Sequence, residues 1–110
     1  MKVAYIMSST NSQKILSHMI LPQLEQGRHG AEILGIFFFM DNTYFLMKDT
    51  EMGERLQALH EKTGMIIMGC DQCVYERKIE SLLVPGATLG CFPILYATLG
   101  SAGVEQVITL

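Results

Sequence analysis

The sequence predicts an α/β domain built on a mostly parallel β-sheet with helices on both of its faces. Two observations support this fold class. Several apolar runs are continuous rather than alternating with polar residues, which is typical of strands covered on both faces of a parallel sheet. These runs alternate along the chain with segments whose apolar residues recur at helical spacing. Such alternation favours a layered fold with right-handed crossovers.

The first strand and the first helix are predicted near the N-terminus. Lys2–Met7 is a short apolar run, and the polar segment Ser8–Ser12 that follows it is rich in residues that cap helices. Five apolar residues then recur at helical spacing, namely Ile15, Leu16, Met19, Ile20 and Leu24. Gly27 is expected to end this helix, and Pro22 is expected to kink it because proline has no N–H group to donate.

Two further strands are predicted on either side of the next helix. Glu32–Met40 is an apolar run that ends in three phenylalanines and a methionine, and it predicts a buried strand. The helix that follows is expected to end at Gly64, and its apolar stripe consists of Met52, Leu56 and Leu59. The run Met65–Met68 predicts the third strand.

The last part of the chain is predicted to hold two helices and a final strand. We expect a short helix from about Cys73 to Ser81, a turn at Pro85-Gly86, a helix over Phe92–Ala102 and a strand over Glu105–Leu110. Neither an internal repeat nor a linker interrupts this pattern. The sequence therefore predicts a single domain over residues 1–110.

The composition is that of a folded chain, and it gives no sign of nucleic-acid binding. Of the 110 residues, 49% are hydrophobic and 17% are charged, which excludes a disordered chain. The net charge is −3 and no run of Lys or Arg could follow a phosphate backbone, so no direct nucleic-acid partner is expected. A domain of this size cannot bury so much apolar surface alone, and we therefore expect contacts with other subunits.

We expect neither a membrane-spanning segment nor an export signal. Val84–Val104 has no charged residue, but its two prolines and four glycines favour a buried loop and helix over a membrane span. The apolar start of the chain is too short for the core of a signal peptide. Three cysteines are an odd count, which argues against a disulfide framework. A cytoplasmic, reducing location with free thiols is expected.

The residues best suited to chemistry are Cys70 and Cys73, which directly follow the third predicted strand and open a helix. Backbone N–H groups and the helix dipole favour an anion at such a place, and a thiolate is the reactive form of cysteine. Arg77 lies one turn beyond Cys73 and could add positive charge. Asp71 could handle a proton, although an acid in a first helical turn is also common. We expect Cys73 and Cys70 as catalytic residues, Asp71 and Arg77 as supporting residues, and no cofactor or metal.

Three chemical functions and one structural role compete for this pair of cysteines. A persulfide carrier needs one exposed thiolate, whereas a thiol–disulfide redox protein needs both cysteines. A zinc site needs four ligands, but the other candidates are scattered along the chain and are better explained by packing or surface positions: Cys91, His18, His29 and His60. The pair could also be small buried hydrophobic residues of a non-catalytic assembly subunit. The persulfide carrier is favoured.

The predicted loop Asp41–Met47 is unusual because it contains four consecutive apolar residues, Tyr44, Phe45, Leu46 and Met47. It could cover the cysteine pocket or pack against a neighbouring subunit. We favour the subunit interface, since exposed apolar clusters commonly mark contact sites.

The segment Met65–Arg77, which contains both cysteines, resembles the strand–cysteine–helix segment of the DsrE/DsrF/TusD-like sulfur-relay family. Val84–Gly90 is similar to the family's loop before the last helix, and Leu99–Leu110 is similar to its closing helix and strand. The resemblance implies a Rossmann-like three-layer fold. It also implies assembly into homo-trimers or homo-hexamers, or into mixed assemblies with sister subunits.

The same resemblance implies a function for the cysteine pair. The sulfur-carrying cysteine of the family aligns with Cys73, and Cys70 matches those members that have a second cysteine at this spacing. Members of the family relay persulfide sulfur in tRNA thiolation or in dissimilatory sulfur metabolism. The implied partners are therefore proteins that donate sulfur and proteins that accept it.

Overall fold

Five strands form one sheet in the computed structural model, which describes residues 1–110. They are β1 (Lys2–Met7), β2 (Glu32–Phe38), β3 (Ile66–Cys70), β4 (Ala87–Gly90) and β5 (Gln106–Thr109). The strand order is β4-β3-β2-β1-β5, and every neighbouring pair is parallel. The predicted α/β fold is confirmed, and the sheet is wholly parallel.

Helices connect the strands, and local contacts set both ends of the longest one. They are α1 (Asn11–Ile15), α2 (Leu21–Glu25), α3 (Glu51–Thr63), α4 (Asp71–Glu76) and α5 (Phe92–Ala102). The Thr50 hydroxyl accepts a hydrogen bond from the Gly53 N–H at the start of α3, and Gly64 ends that helix in the left-handed conformation. A π-helical stretch, Leu16–Ile20, joins α1 to α2. The disturbance expected at Pro22 thus takes the form of π-helical turns just before it.

The two faces of the sheet carry cores of unequal size. The larger core lies between the sheet and α1, α2 and α3, and contains fourteen buried residues, among them Phe38, Leu56 and Ile67. The smaller core lies under α5 and contains five: Phe37, Met68, Cys70, Cys73 and Leu95. Right-handed crossovers explain this arrangement. The first three connections move the chain in one direction across the sheet, and the last connection returns it to the opposite edge beside β1.

Strand β4 was not predicted, because Val84–Gly90 was interpreted as a loop. The structure places Ala87–Gly90 alongside Ile67–Cys70 in parallel register. Helix α4 is also shorter than predicted: it ends at Glu76, and a 3₁₀ turn over Glu80–Leu82 follows it. No helix combines the length and apolar character that crossing a membrane requires.

Candidate functional site

The predicted cysteine pair lies at the carboxyl edge of the sheet, where ligand and reaction sites of parallel sheets are found. Cys70 is the last residue of β3 and the N-cap of α4, while Cys73 lies in the first turn of that helix. The Cys73 N–H donates to Cys70 Sγ at 3.4 Å, so the first sulfur caps the helix that carries the second. Both side chains belong to the small core under α5.

Cys70 is suited to staying a neutral thiol. Burial is the main cause that raises the pKa of the Cys70 thiol, and the side chain of neighbouring Cys73 raises it further. Its sulfur accepts the Cys73 N–H, which opposes this effect only in part. Burial therefore makes Cys70 a poor thiolate nucleophile at neutral pH.

Cys73 has a different sulfur environment. Its Sγ accepts a hydrogen bond from the Met40 N–H at 3.2 Å, and the Met40 Sδ lies 3.8 Å away. An amide N–H that points at a sulfur can stabilise negative charge on it. The exposed thiolate that a carrier was expected to need is not seen, because Cys73 is only 6% exposed. The sulfur is thus covered, but it is not isolated from a hydrogen-bond donor.

Arg77 lies beside the pair, but its guanidinium makes no hydrogen bond to either cysteine sulfur. It donates to Asp41 Oδ1 at 2.9 Å and to the Cys73 carbonyl oxygen at 3.1 Å, and it lies 6.0 Å from the centre of the Tyr44 ring. The hydrogen bond to Asp41 is the main cause that raises the pKa of Arg77, and the charge of a Cys73 thiolate contributes a smaller part. The positive charge is therefore close to Cys73 but largely neutralised by Asp41.

Asp71 occupies the first position of α4, as the sequence indicated. Its Oδ1 accepts the Gln72 N–H at 2.7 Å, and it makes no hydrogen bond to either cysteine sulfur. This contact is the one expected of an acid at a helix start. A role for Asp71 in proton transfer stays a prediction.

The segment Met40–Leu46, which we name the cover segment, is a 3₁₀ helix rather than an open loop. Asn42, Thr43 and Leu46 are buried in it, while Met40 and Tyr44 are exposed. Within this chain the segment lies over α4 and the end of β3, so the structure shows the cysteine-covering arrangement that we had ranked below a subunit interface. The two roles are compatible, because Tyr44 still faces outward.

Met40 is the residue at this site that sequence reasoning missed. Its backbone has φ of 54°, a left-handed conformation that is uncommon for a residue with a Cβ. This conformation directs its N–H at Cys73. The only sequence signal was its place at the carboxyl end of the β2 run, where residues of parallel sheets meet a site.

The other candidate residues lie apart from the pair. Cys91 is half-buried at the N-cap of α5, and all three cysteines are free thiols. His29 is half-buried, and its ring nitrogens contact Tyr5 Oη at 2.8 Å and Gln23 Oε1 at 2.9 Å. No three His, Cys, Asp or Glu side chains cluster closely enough to hold a metal ion.

Comparisons with known structures place this fold among proteins of similar length. The structure is similar to the YchN protein of E. coli, with 15% identity, a TM-score of 0.69 and coverage of 99% of this chain and 97% of that one. It is similar to the protein of unknown function MTH1491 from Methanobacterium thermoautotrophicum, with 11% identity, a TM-score of 0.70 and coverage of 99% and 98%. The conserved protein of unknown function BT1422 from Bacteroides thetaiotaomicron gives 16% identity, a TM-score of 0.66 and coverage of 99% and 94%.

Sequence comparison settles the family. No curated protein matches the sequence. The model of the DsrE/DsrF-like family matches residues 1–102, nearly the whole chain, including both cysteines and Arg77. The resemblance seen around the cysteine pair is thereby confirmed, and the chain belongs to the DsrE/DsrF-like family.

Proposed function

We propose that this protein takes part in sulfur relay and carries sulfur as a persulfide on Cys73. Membership of the DsrE/DsrF-like family supports a role in sulfur relay. The observation that carries the finer assignment is the hydrogen bond from the Met40 N–H to Cys73 Sγ, since that donor favours the anionic form of the sulfur. Cys70 Sγ also accepts an N–H, from Cys73, but burial outweighs that contact and raises the pKa of the Cys70 thiol.

The transfer is a thiol exchange that needs no external oxidant. The Cys73 thiolate attacks the outer sulfur of a donor persulfide, and the sulfur–sulfur bond of the donor breaks. The donor leaves as a thiolate with the bonding electron pair, and its outer sulfur is now bonded to Cys73. Attack by an acceptor thiolate on that outer sulfur returns Cys73 to its starting state. The partners are therefore proteins that present a persulfide or a thiolate, and the three free cysteines fit a reducing compartment such as the cytoplasm.

Mass spectrometry of the reduced protein after incubation with a small-molecule persulfide tests this proposal. We expect Cys73 to gain the mass of one sulfur atom, and Cys73→Ser to abolish that gain. Cys91→Ser is the matched control, because Cys91 is a free thiol outside the pair and should leave loading intact. Loading that never reaches Cys73, or that persists in Cys73→Ser, would contradict the assignment.

A thiol–disulfide redox cycle is the second candidate, and the contact between the Cys73 N–H and Cys70 Sγ favours it by holding the two cysteines in one helical turn. A Cys70→Ser variant separates the two functions. A carrier should still accept and donate sulfur through Cys73 alone. A redox protein should lose its activity with Cys70, since the disulfide needs both sulfurs.

We also propose that the chain assembles with copies of itself through α5 and β5. Helix α5 carries no charged residue, and its exposed side includes Phe92, Ile94 and Tyr96. On the edge strand β5, Val107 and Ile108 are also exposed. Exposed apolar side chains of this kind often mark an interface, and a homo-trimer or homo-hexamer would cover them.

The mass of the protein in solution tests this assembly, measured by light scattering after size-exclusion chromatography. Ile94→Asp should shift the protein toward a monomer, because a charge would be buried in the interface. Met19→Asp is the matched control, since Met19 is equally exposed on a different helix. If the chain served only for assembly, a Cys70→Ser/Cys73→Ser double variant would keep both its partners and its biological role.

A further inference from the structure

Met40 lies between the Cys73 sulfur and solvent. Its N–H and its Sδ both contact Cys73 Sγ, at 3.2 and 3.8 Å. Met40 is 56% exposed, whereas Cys73 is almost fully covered. Cys73 also belongs to the small core that includes Phe37, Met68 and Leu95. The route from solvent to the sulfur therefore passes the side chain of Met40.

The backbone of Met40 is held in place. The Thr43 hydroxyl donates to the Met40 carbonyl oxygen at 2.8 Å, and Arg77 pairs with the adjacent Asp41 at 2.8 Å. Further along the segment, the buried Asn42 amide donates to the Met7 carbonyl oxygen at 3.3 Å. These contacts maintain a left-handed backbone that a residue with a Cβ does not favour, and so they fix the direction of the Met40 N–H.

The side chain of Met40 is free to move by comparison. More than half of it is in solvent, and methionine has three rotatable side-chain bonds and a soft, adaptable thioether. Exposed side chains of this kind change rotamer in picoseconds to nanoseconds. One residue thus combines a fixed hydrogen-bond donor with a mobile cover over the same sulfur atom.

We propose that Met40 is a positioning residue for Cys73: its fixed backbone amide holds the sulfur, and its thioether side chain covers that sulfur and swings aside when a second sulfur is loaded. This inference rests on the proposed persulfide function. It assigns Met40 control over which thiols reach the carried sulfur.

The space around Cys73 requires this movement. The outer sulfur of a persulfide would lie about 2.05 Å from Sγ, the length of a sulfur–sulfur bond. The cavity under α5, which Phe37, Met68 and Leu95 help to line, does not reach Cys73, so it offers no space for the outer sulfur. It must project toward Met40, whose Sδ lies only 3.8 Å from Cys73 Sγ. Loading therefore displaces the thioether, which can then return over the outer sulfur and shield it.

The shield would oppose a specific loss reaction. A small thiolate that attacks the outer sulfur takes it away as a new persulfide, and Cys73 leaves as a thiolate with the bonding electrons. Removing the Met40 side chain should open this path. Met40→Gly is the suitable change, because glycine keeps the left-handed backbone and the N–H while it deletes the cover. Met40→Leu keeps both the backbone and the bulk, and serves as the matched comparison.

The rate at which iodoacetamide alkylates Cys73, followed by peptide mass spectrometry, tests the cover without any sulfur transfer. We expect Met40→Gly to raise this rate several-fold, and Met40→Leu to react more slowly than Met40→Gly. Loaded Met40→Gly should also lose its outer sulfur to glutathione several-fold faster than the wild-type protein. Met19→Ala controls for the loss of an exposed methionine elsewhere, and thermal unfolding confirms that each variant is folded.

Two results would overturn the proposal: a Met40→Gly rate no higher than that of the wild-type protein, or equal rates for Met40→Gly and Met40→Leu. Either result refutes the covering role of Met40, even if Cys73 carries sulfur. The reverse case is also distinguishable. If Met40→Gly is alkylated faster but the wild-type protein accepts no sulfur, the covering role of Met40 is supported and persulfide carriage is refuted. The two proposals therefore fail separately.

Discussion

Replacing Arg77 with methionine tests what this residue does for the site, because its guanidinium makes two kinds of contact. One is the ion pair with Asp41 at 2.8 Å, which ties α4 to the cover segment. The other is the hydrogen bond to the Cys73 carbonyl oxygen at 3.1 Å. Asp41→Asn weakens the first contact and leaves the second intact. Comparing the two variants therefore separates a structural tie from an electrostatic effect on the thiol.

The expected size of each effect follows from exposure. The Asp41 side chain is 65% exposed, so water screens the ion pair and Asp41→Asn should cost only about 0.5 kcal/mol of unfolding free energy. The Cys73 carbonyl oxygen also accepts a hydrogen bond from the backbone N–H of Arg77. It therefore keeps this hydrogen bond when the guanidinium is removed. Together the two contacts make the expected cost of Arg77→Met about 1–2 kcal/mol.

Urea unfolding of the two single variants and the double variant measures these costs. A coupling of about 0.5 kcal/mol between Arg77 and Asp41 is expected in the double-mutant cycle. An Arg77→Met variant that is no less stable than Asp41→Asn would show that the Cys73 carbonyl contact contributes nothing. The structural tie itself would be refuted if the coupling were zero.

The alkylation rate of Cys73 in the same variants tests the electrostatic effect. If the charge of Arg77 acts on the thiolate, Asp41→Asn frees that charge and should speed alkylation, while Arg77→Met should slow it. If Arg77 acts only through the cover segment, both variants should change the rate in the same direction. The structure favours the second outcome, since Asp41 already pairs with the guanidinium.

Three further predictions concern stability and pH. Asn42→Ala should lower the free energy of unfolding in urea by about 2 kcal/mol, because the buried amide donates to two backbone carbonyls at and just after the end of β1. A loss below about 0.5 kcal/mol would contradict this, since it would mean that no net hydrogen bond is lost. Leu95→Ala should lower the free energy of unfolding by about 2–4 kcal/mol, since Leu95 is the buried residue of α5. Thermal unfolding measures this loss, and a smaller value would show that α5 moves inward to fill the cavity. The Arg55 hydrogen bond lowers the pKa of Glu25 from 4.5, so this pair contributes about 0.5–1 kcal/mol above pH 4.5 and loses it as the pH falls further. Glu25→Gln should therefore be less stable than the wild-type protein at pH 7 but not at pH 3, and a difference that does not change with pH would refute the assignment.

The elements that were predicted correctly are those whose signal is local. Strands β1, β2 and β3 and helix α5 were identified because continuous apolar runs and helical spacing are visible in the sequence itself. The cysteine pair was placed at the carboxyl edge by the same reasoning, since a strand that ends at a cysteine brings it there. The resemblance to the family also rested on that segment, and the family model confirmed it.

The elements that were missed depend on distant parts of the chain. Ala87–Gly90 is short and flanked by turn residues, and it becomes a strand because the edge of β3 offers it a hydrogen-bonding partner. The left-handed backbone of Met40 has no sequence signature, because methionine seldom adopts it. It is imposed by the buried residues that follow, and so the hydrogen bond to Cys73 could not be read from the sequence.

The unequal cores have a consequence for how the protein opens. Helix α5 buries a single side chain completely, whereas the opposite face is secured by fourteen buried residues. Partial unfolding should therefore begin at α5, and its amide hydrogens should exchange with solvent faster than those of α3. Each such opening would uncover both thiols, because they belong to the small core under α5. A second subunit seated on α5 would suppress these openings, and assembly would then protect the sulfur chemistry without contributing any reactive group.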